Sequence, residues 1–181
     1  MTSQMNAESF HTLLRTHEPP WLLAVSGTDE EAIIWTDALL KGGFESRFVR
    51  GQKMVQTQGF FDEFAAALQF PHFCEGGWDS FAECLRMLGT LPTTPPAVLL
   101  VLNSNRLLDS EPPRELQIAL HEFVGTARSS TVPNYSPSVG PQAVHFVFQA
   151  TPAEYPTLIE RFRSVGCELT PVDDEAWKPL R

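Results

Sequence analysis

No stretch of this sequence reaches 18 consecutive apolar residues, so no membrane-spanning helix is predicted. The opening residues, 1–11, are polar and lack a basic segment followed by an apolar run, so no signal peptide is expected. Cations are scarce: 13 Lys and Arg stand against 22 Asp and Glu, for a formal net charge of −9. Such a chain gains nothing by displacing counterions from nucleic acid or from an anionic bilayer, and neither is expected as a partner. A basic protein would be attracted, less strongly as salt rises. Cysteine is scarce too. Cys74, Cys84 and Cys167 make an odd number in an ordinary-sized chain, which predicts free thiols in a reducing compartment, the cytoplasm, rather than a disulfide framework.

Several catalytic signatures are missing. The turn after the first apolar run reads Ser26-Gly27-Thr28-Asp29-Glu30-Glu31, which is neither a dinucleotide-binding glycine pattern nor a phosphate loop, and its acids would repel phosphate. There is no Gly-x-Ser-x-Gly nucleophile turn. No cofactor is expected. His72, Cys74, Glu75 and Cys84 contain no Cys-x-x-Cys pair and match no zinc spacing, so no metal is expected. Cys84 falls on an apolar helix face and reads as a small buried hydrophobe. Carboxylates around Cys74 would keep its thiol protonated, which argues against a Cys74–His72 nucleophile.

What is present suits a packed core. The chain has 181 residues, 43% of them hydrophobic, with 13 Phe, enough for a single domain over 1–181. Residues 1–18 read as a leader helix or arm pinned by Phe10, Leu13 and Leu14, ended by Pro19-Pro20. Residues 21–26 (WLLAVS) form a near-continuous apolar strand, and the Gly27-Thr28-Asp29 turn supplies an N-cap. The helix over 30–41 is expected to bury Ile33, Ile34, Ala38 and Leu39. Residues 44–51 alternate as a second strand. A Phe-rich helix follows over 58–69, then the stretch 70–88 discussed below. Residues 97–102 (AVLLVL) predict the centre of a parallel sheet. A helix over 114–128, a Pro- and Ser-rich loop over 129–141 and a strand over 143–149 come next. In that strand His145 reads as a satisfied core histidine, while His121 should face solvent. Thr151-Pro152-Ala153-Glu154 has the form of a helix start, and residues 167–172 form a last strand. Strands alternating with helices give an α/β class with a mainly parallel sheet flanked by helices. Two helices lie between the second strand and the next, so the stretch 70–88 belongs to a crossover connection.

That stretch carries the functional signal. Glu75, Asp79 and Glu83 recur every four residues, which stacks Asp79 and Glu83 on one helix face with Glu75 on the approach. Trp78, Phe81, Cys84, Leu85 and Leu88 fall on the other side, where they would dock the helix. Like charges four apart cost roughly 0.2–0.5 kcal/mol per pair; only Arg86 is near enough to offset this. From 54 to 105, Arg86 faces Asp62, Glu63, Glu75, Asp79 and Glu83, so the segment carries −4. A focused field of this kind speeds encounter with a basic partner, and His72, Phe73 and Trp78 would add apolar or stacking contacts. The same row also fits an ordinary solvated helix face, with Asp79 favouring the helix N-terminus. Asp79 and Glu83 are also spaced for acid–base work, but a helix face offers no cleft, and an enzyme is not expected.

Three segments taken together resemble the barstar family of ribonuclease inhibitors: residues 61–71 (FDEFAAALQFP), residues 78–88 (WDSFAECLRML), and the strand 97–102 with its turn Asn103-x-Asn-Arg-Leu-Leu108. The similarity covers residues 44–149, leaving extensions at 1–43 and 150–181. It implies a small parallel sheet between helix layers, extended by a βα unit at one end and an αβ unit at the other. It further implies a partner, a basic ribonuclease or related toxin, whose cationic active site is plugged by the helix at 78 and the loop before it. On that resemblance Phe73, Glu75, Gly77, Trp78, Asp79 and Glu83 form the contact surface, with Asp79 and Glu83 at the acidic positions. The family's Tyr-Phe-Gly-x-Asn-Trp-Asp reads here Phe73-Cys-Glu-Gly-Gly-Trp-Asp79. A Tyr hydroxyl and an Asn amide are lost and Glu75 replaces a glycine. An interaction or regulatory module without a nuclease target is the alternative.

Overall fold

The computed structural model describes residues 7–71, 74, 76–87, 95–129 and 143–177. Five strands form one all-parallel sheet: β1 (Leu22–Ser26), β2 (Glu45–Arg50), β3 (Ala97–Leu102), β4 (Val144–Ala150) and β5 (Thr170–Val172), in spatial order β2-β3-β4-β1-β5. The helices are α1 (Ala7–Leu14), α2 (Asp29–Lys41), α3 (Thr57–Leu68), α4 (Trp78–Met87), α5 (Pro113–Ser129) and α6 (Tyr155–Ser164). Both terminal extensions therefore add strands to the sheet: β1 lies beside β4 and β5 closes the edge. The expected α/β class with a parallel sheet is what the chain adopts.

Two apolar layers sandwich the sheet. Leu22, Ala24, Ala97, Leu99, Val101, Val144, Phe146 and Phe148 meet the side chains of α3, α4, α5 and α6. Leu23, Val25, Val98, Leu100, Leu102 and Val147 meet α1, α2 and the closing turn at Ala176 and Trp177. Alternate residues of each inner strand thus serve opposite layers, which is why β3 reads as an unbroken apolar run and β4 is apolar but for the buried His145 and Gln149. β3 lies one place from the predicted centre; β4 is the middle strand and is buried along its whole length.

Four local expectations need correction. On α2 the buried residues are Ala32, Trp35, Ala38 and Leu39, while Ile33 and Ile34 are 59% and 64% exposed. Trp35 sets this rotation. Its ring stacks on Trp177 at 5.1 Å and lies so close to Gly27 that a Cβ there would clash with it. The α2 cap is the expected Thr28, whose hydroxyl accepts from the Glu31 N–H while the Glu31 carboxylate accepts from the Thr28 N–H. α6 starts at Tyr155, later than the Thr151 signature suggests. The Thr151 hydroxyl donates to the Glu154 carboxylate at 2.7 Å instead of capping a backbone N–H, and residues 152–154 form a turn. The last strand is only Thr170–Val172. His145 is fully buried, yet among the described residues neither ring nitrogen has a hydrogen-bond partner. Burial, and secondarily the nearby His17, push its pKa down to about 4. His121 is exposed, as expected. No helix among the described residues is long and apolar enough to cross a membrane.

Candidate partner-binding face

Helices α3 and α4 fill the crossover from β2 to β3, as predicted. α3 is anchored at its start by the turn after β3. The Glu111 carboxylate accepts from the Thr57 N–H at 2.8 Å and from its hydroxyl at 2.9 Å, which holds the Glu111 pKa below its usual value. The N–H groups of Leu108 and Ser110 donate to the carbonyls of Met54 and Val55. The start of α3 is thus tied to the sheet through backbone, and α3 in turn offers Phe60, Phe61 and Phe64 as a bed for α4.

α4 begins after two glycines with positive φ, Gly76 (+132°) and Gly77 (+122°). Gly77 accepts the first helical bond, from the Phe81 N–H at 3.0 Å. The helix buries Phe81, Ala82, Cys84 and Leu85. Phe81 packs against Phe60, Phe64 and Phe123 with ring centroids 4.9, 5.2 and 6.4 Å away, and Phe123 stacks on Phe146 of the middle strand at 4.5 Å. A continuous aromatic column thus connects α4 to the sheet, and burying rings of this size is worth roughly 1.5–3 kcal/mol each.

The opposite face carries Asp79 and Glu83, both exposed. Among the described residues neither makes a hydrogen bond or an ion pair. At i and i+4 they sit roughly 6 Å apart at Cβ, one above the other. Arg86, the cation expected to offset them, turns instead to α5 and pairs with Glu122 at 3.2 Å. The acids are therefore left unneutralised by the protein's own arginine. Glu63 does not join them: Arg50 binds it through Nε at 2.7 Å and Nη2 at 3.0 Å, and this hydrogen-bonded pairing lowers the Glu63 pKa. Asp62 is exposed and, among the described residues, accepts only from the neutral amide of Gln58, at 2.8 Å.

Trp78 lies on the docking side of α4, as its helical spacing predicts. It is half-buried, with its ring 5.2 Å from Phe60 and 5.1 Å from Phe61, and its indole N–H donates to the Glu115 carboxylate at 2.7 Å. Phe73 and Glu75, with His72 and Leu88, lie outside the described residues. The structure therefore brings together Gly77, Trp78, Asp79 and Glu83 of the predicted surface, with Trp78 facing inward.

Cysteine is the other correction. Cys74 and Cys84 are joined by a disulfide, with Cα atoms 6.1 Å apart, and Cys167 alone is free. The odd count pointed to thiols, but it cannot show that Cys74 lies beside the second turn of α4, at a distance a disulfide spans. The expectation that Cys84 is buried holds, at 1% exposure. Its partner removes it from any metal set or nucleophilic pair. Glu115 and Glu122, which orient Trp78 and Arg86, were not foreseen; they lie 37 and 36 residues away from those partners and carry no sequence motif.

Residues 44–132 match the Barstar family, described as "Barstar (barnase inhibitor)". This stretch belongs to the barstar family. The barstar segment begins at Phe44, where the sequence resemblance begins, and takes in β2, α3, α4, β3 and α5. It ends before β4, short of the predicted limit at 149. The aromatic bed, the acidic helix and the Glu111 anchor all lie within it. No curated protein matches the chain.

Proposed function

We propose that the protein is an inhibitor that binds a basic ribonuclease or related toxin through α4 and the turn before it, with Asp79 and Glu83 entering the cationic site that would otherwise hold RNA phosphates. One observation carries this reading: two carboxylates, exposed and unpaired among the described residues, stand one helical turn apart on a helix seated rigidly on an aromatic core, within a barstar-family segment. Rigidity matters because presenting charges in fixed positions avoids an ordering cost on binding. The net charge of −9 adds long-range attraction for a basic partner. The role is that of a binding protein, with no reaction catalysed, on a chain folded as one domain over 1–181. Phe73 and Glu75 complete the contact surface beside Gly77.

Barnase itself is the first probe. Adding the protein to barnase should abolish RNA cleavage at a one-to-one ratio. No loss of cleavage with barnase or any other small basic microbial ribonuclease would refute the inhibitor reading.

The second reading, a regulatory module on the same fold, is favoured by one feature. Gly77 occupies the position of the family's Asn and presents no side chain, and Trp78 is turned inward, so the turn has fewer groups to offer a nuclease. Recovery of a nuclease with the protein from its native cells would remove this alternative.

A further inference from the structure

The disulfide joins the loop before α4 to the helix itself. Cys74 precedes the turn and Cys84 lies two turns into α4, so the bond closes a ring that contains Gly76, Gly77, Trp78, Asp79 and Glu83. Within that ring the helical part is already held, by the Trp78–Glu115 hydrogen bond and the burial of Phe81 and Ala82, whereas the two glycines carry no side chain to pack. Gly76 and Gly77 have open space where a Cβ would stand, so neither can be held by side-chain packing. Glycine also loses more conformational freedom on ordering than any other residue. Upstream, the Cys74 N–H donates to the Pro71 carbonyl at 2.9 Å. A covalent tie across two consecutive glycines restricts a turn that no side chain of its own holds in place.

We propose that the Cys74–Cys84 disulfide is a redox clamp on the partner-binding face: oxidised, it presets the Gly76–Gly77 turn that leads into α4 for binding, and reduced, it releases that turn and weakens binding. The proposal rests on the partner-binding reading of α4. The bond is opened by a dithiol reductant. Its thiolate attacks Sγ of Cys74, which at 5% exposure is the more reachable of the two. Cys84 leaves as a thiolate and takes up a proton. The second thiol of the reductant then displaces Cys74, so two electrons and two protons pass to the protein and the reductant leaves as its own disulfide. Cys167 stays outside this exchange. Its thiol is partly buried, and burial raises its pKa to about 11, which leaves almost no thiolate to attack the bond. Reduction leaves Phe81, Leu85 and the aromatic column in place, so the clamp acts on the turn and not on the seat of the helix.

The test uses the full chain, oxidised and after treatment with dithiothreitol. Alkylation with mass spectrometry should find Cys74 and Cys84 blocked before reduction and labelled after it; labelling of both without reductant overturns the proposal. Amide hydrogen exchange of Phe81, whose N–H donates to the Gly77 carbonyl, should then speed up about tenfold on reduction while strands β3 and β4 stay protected. Unchanged exchange at Phe81 overturns the clamp whether or not any partner is known. Barnase serves as the binding probe, with reduced protein expected to bind about tenfold more weakly than oxidised protein; equal affinity overturns the regulatory role. If neither form binds barnase, the exchange result alone decides the clamp, and the inhibitor reading is judged separately by the panel of small basic ribonucleases. A Cys74→Ser/Cys84→Ser variant should match the reduced protein in both readouts. If that variant does not fold, the reduced wild-type chain still gives the answer.

Discussion

Trp78 and Glu115 are joined by a hydrogen bond of 2.7 Å that ties the first residue of α4 to the first turn of α5. Both partners are partly withdrawn from water, so the bond orients the helix that carries Asp79 and Glu83. Truncating Glu115 to Ala leaves the indole N–H without its partner. That should cost about 1–3 kcal/mol, read as a lower urea midpoint with an unchanged slope. Glu115→Gln, which retains an acceptor, should recover part of the loss. An unchanged midpoint for Glu115→Ala would show that the bond does not hold α4.

The aromatic column predicts a larger loss. Phe81 is 1% exposed and touches rings from α3 and α5. Phe81→Ala should destabilise the protein by about 3–5 kcal/mol. Phe81→Leu should cost less, because more of the volume is kept. Chemical denaturation of both variants checks the order.

His145 predicts a pH dependence. The folded state holds the imidazole neutral, with a pKa of about 4 against the ordinary 6.5. The unfolded chain therefore binds the proton first as pH falls. The contribution of neutral His145 is fully present above pH 6.5 and is lost as pH drops from 6.5 towards 4, a total of about 3 kcal/mol. His145→Leu should flatten this part of the stability curve. Glu63 acts at the acid end. Its pKa is lowered by Arg50, so its contribution is present above the ordinary carboxylate range and is lost as pH falls through its own lower value. Arg50→Ala should alter that lower limb and leave the histidine limb alone. Thermal unfolding across the pH series separates the two.

Arg86 sits at the boundary between the acidic face and α5. Its pair with Glu122 is half-exposed on the Arg86 side, so its loss should change stability by less than about 1 kcal/mol. Arg86→Ala also removes the cation closest in sequence to Glu83. Association with a basic ribonuclease should become faster at low salt, with the gain fading as salt rises. Stopped-flow mixing at several ionic strengths checks this.

Much of this was legible in the residues. The runs at 97–102 and 143–149 read as strands because both faces of each are covered, and the acidic row was visible because it repeats with the helix period. What escaped was set by partners far away in sequence. Ile33 and Ile34 look like core residues on α2, but Trp35, wedged between Gly27 and Trp177, turns the helix so that they face out. Trp78 reads equally well as anchor or contact until Glu115 and the Phe60–Phe61 bed appear beside it. The Cys74–Cys84 bond depends on a loop returning onto its own helix, which a count of three cysteines does not encode.

The central claim is that Asp79 and Glu83 act as paired negative charges on a fixed helix. The most direct measurement is the affinity of the Asp79→Lys/Glu83→Lys variant for barnase, with circular dichroism confirming that the fold is kept. Both residues are exposed and unpaired among the described residues, so their reversal should leave stability nearly unchanged. The account predicts a loss of affinity of more than about a hundredfold and a flattened salt dependence. Affinity equal to that of the unaltered protein would contradict it.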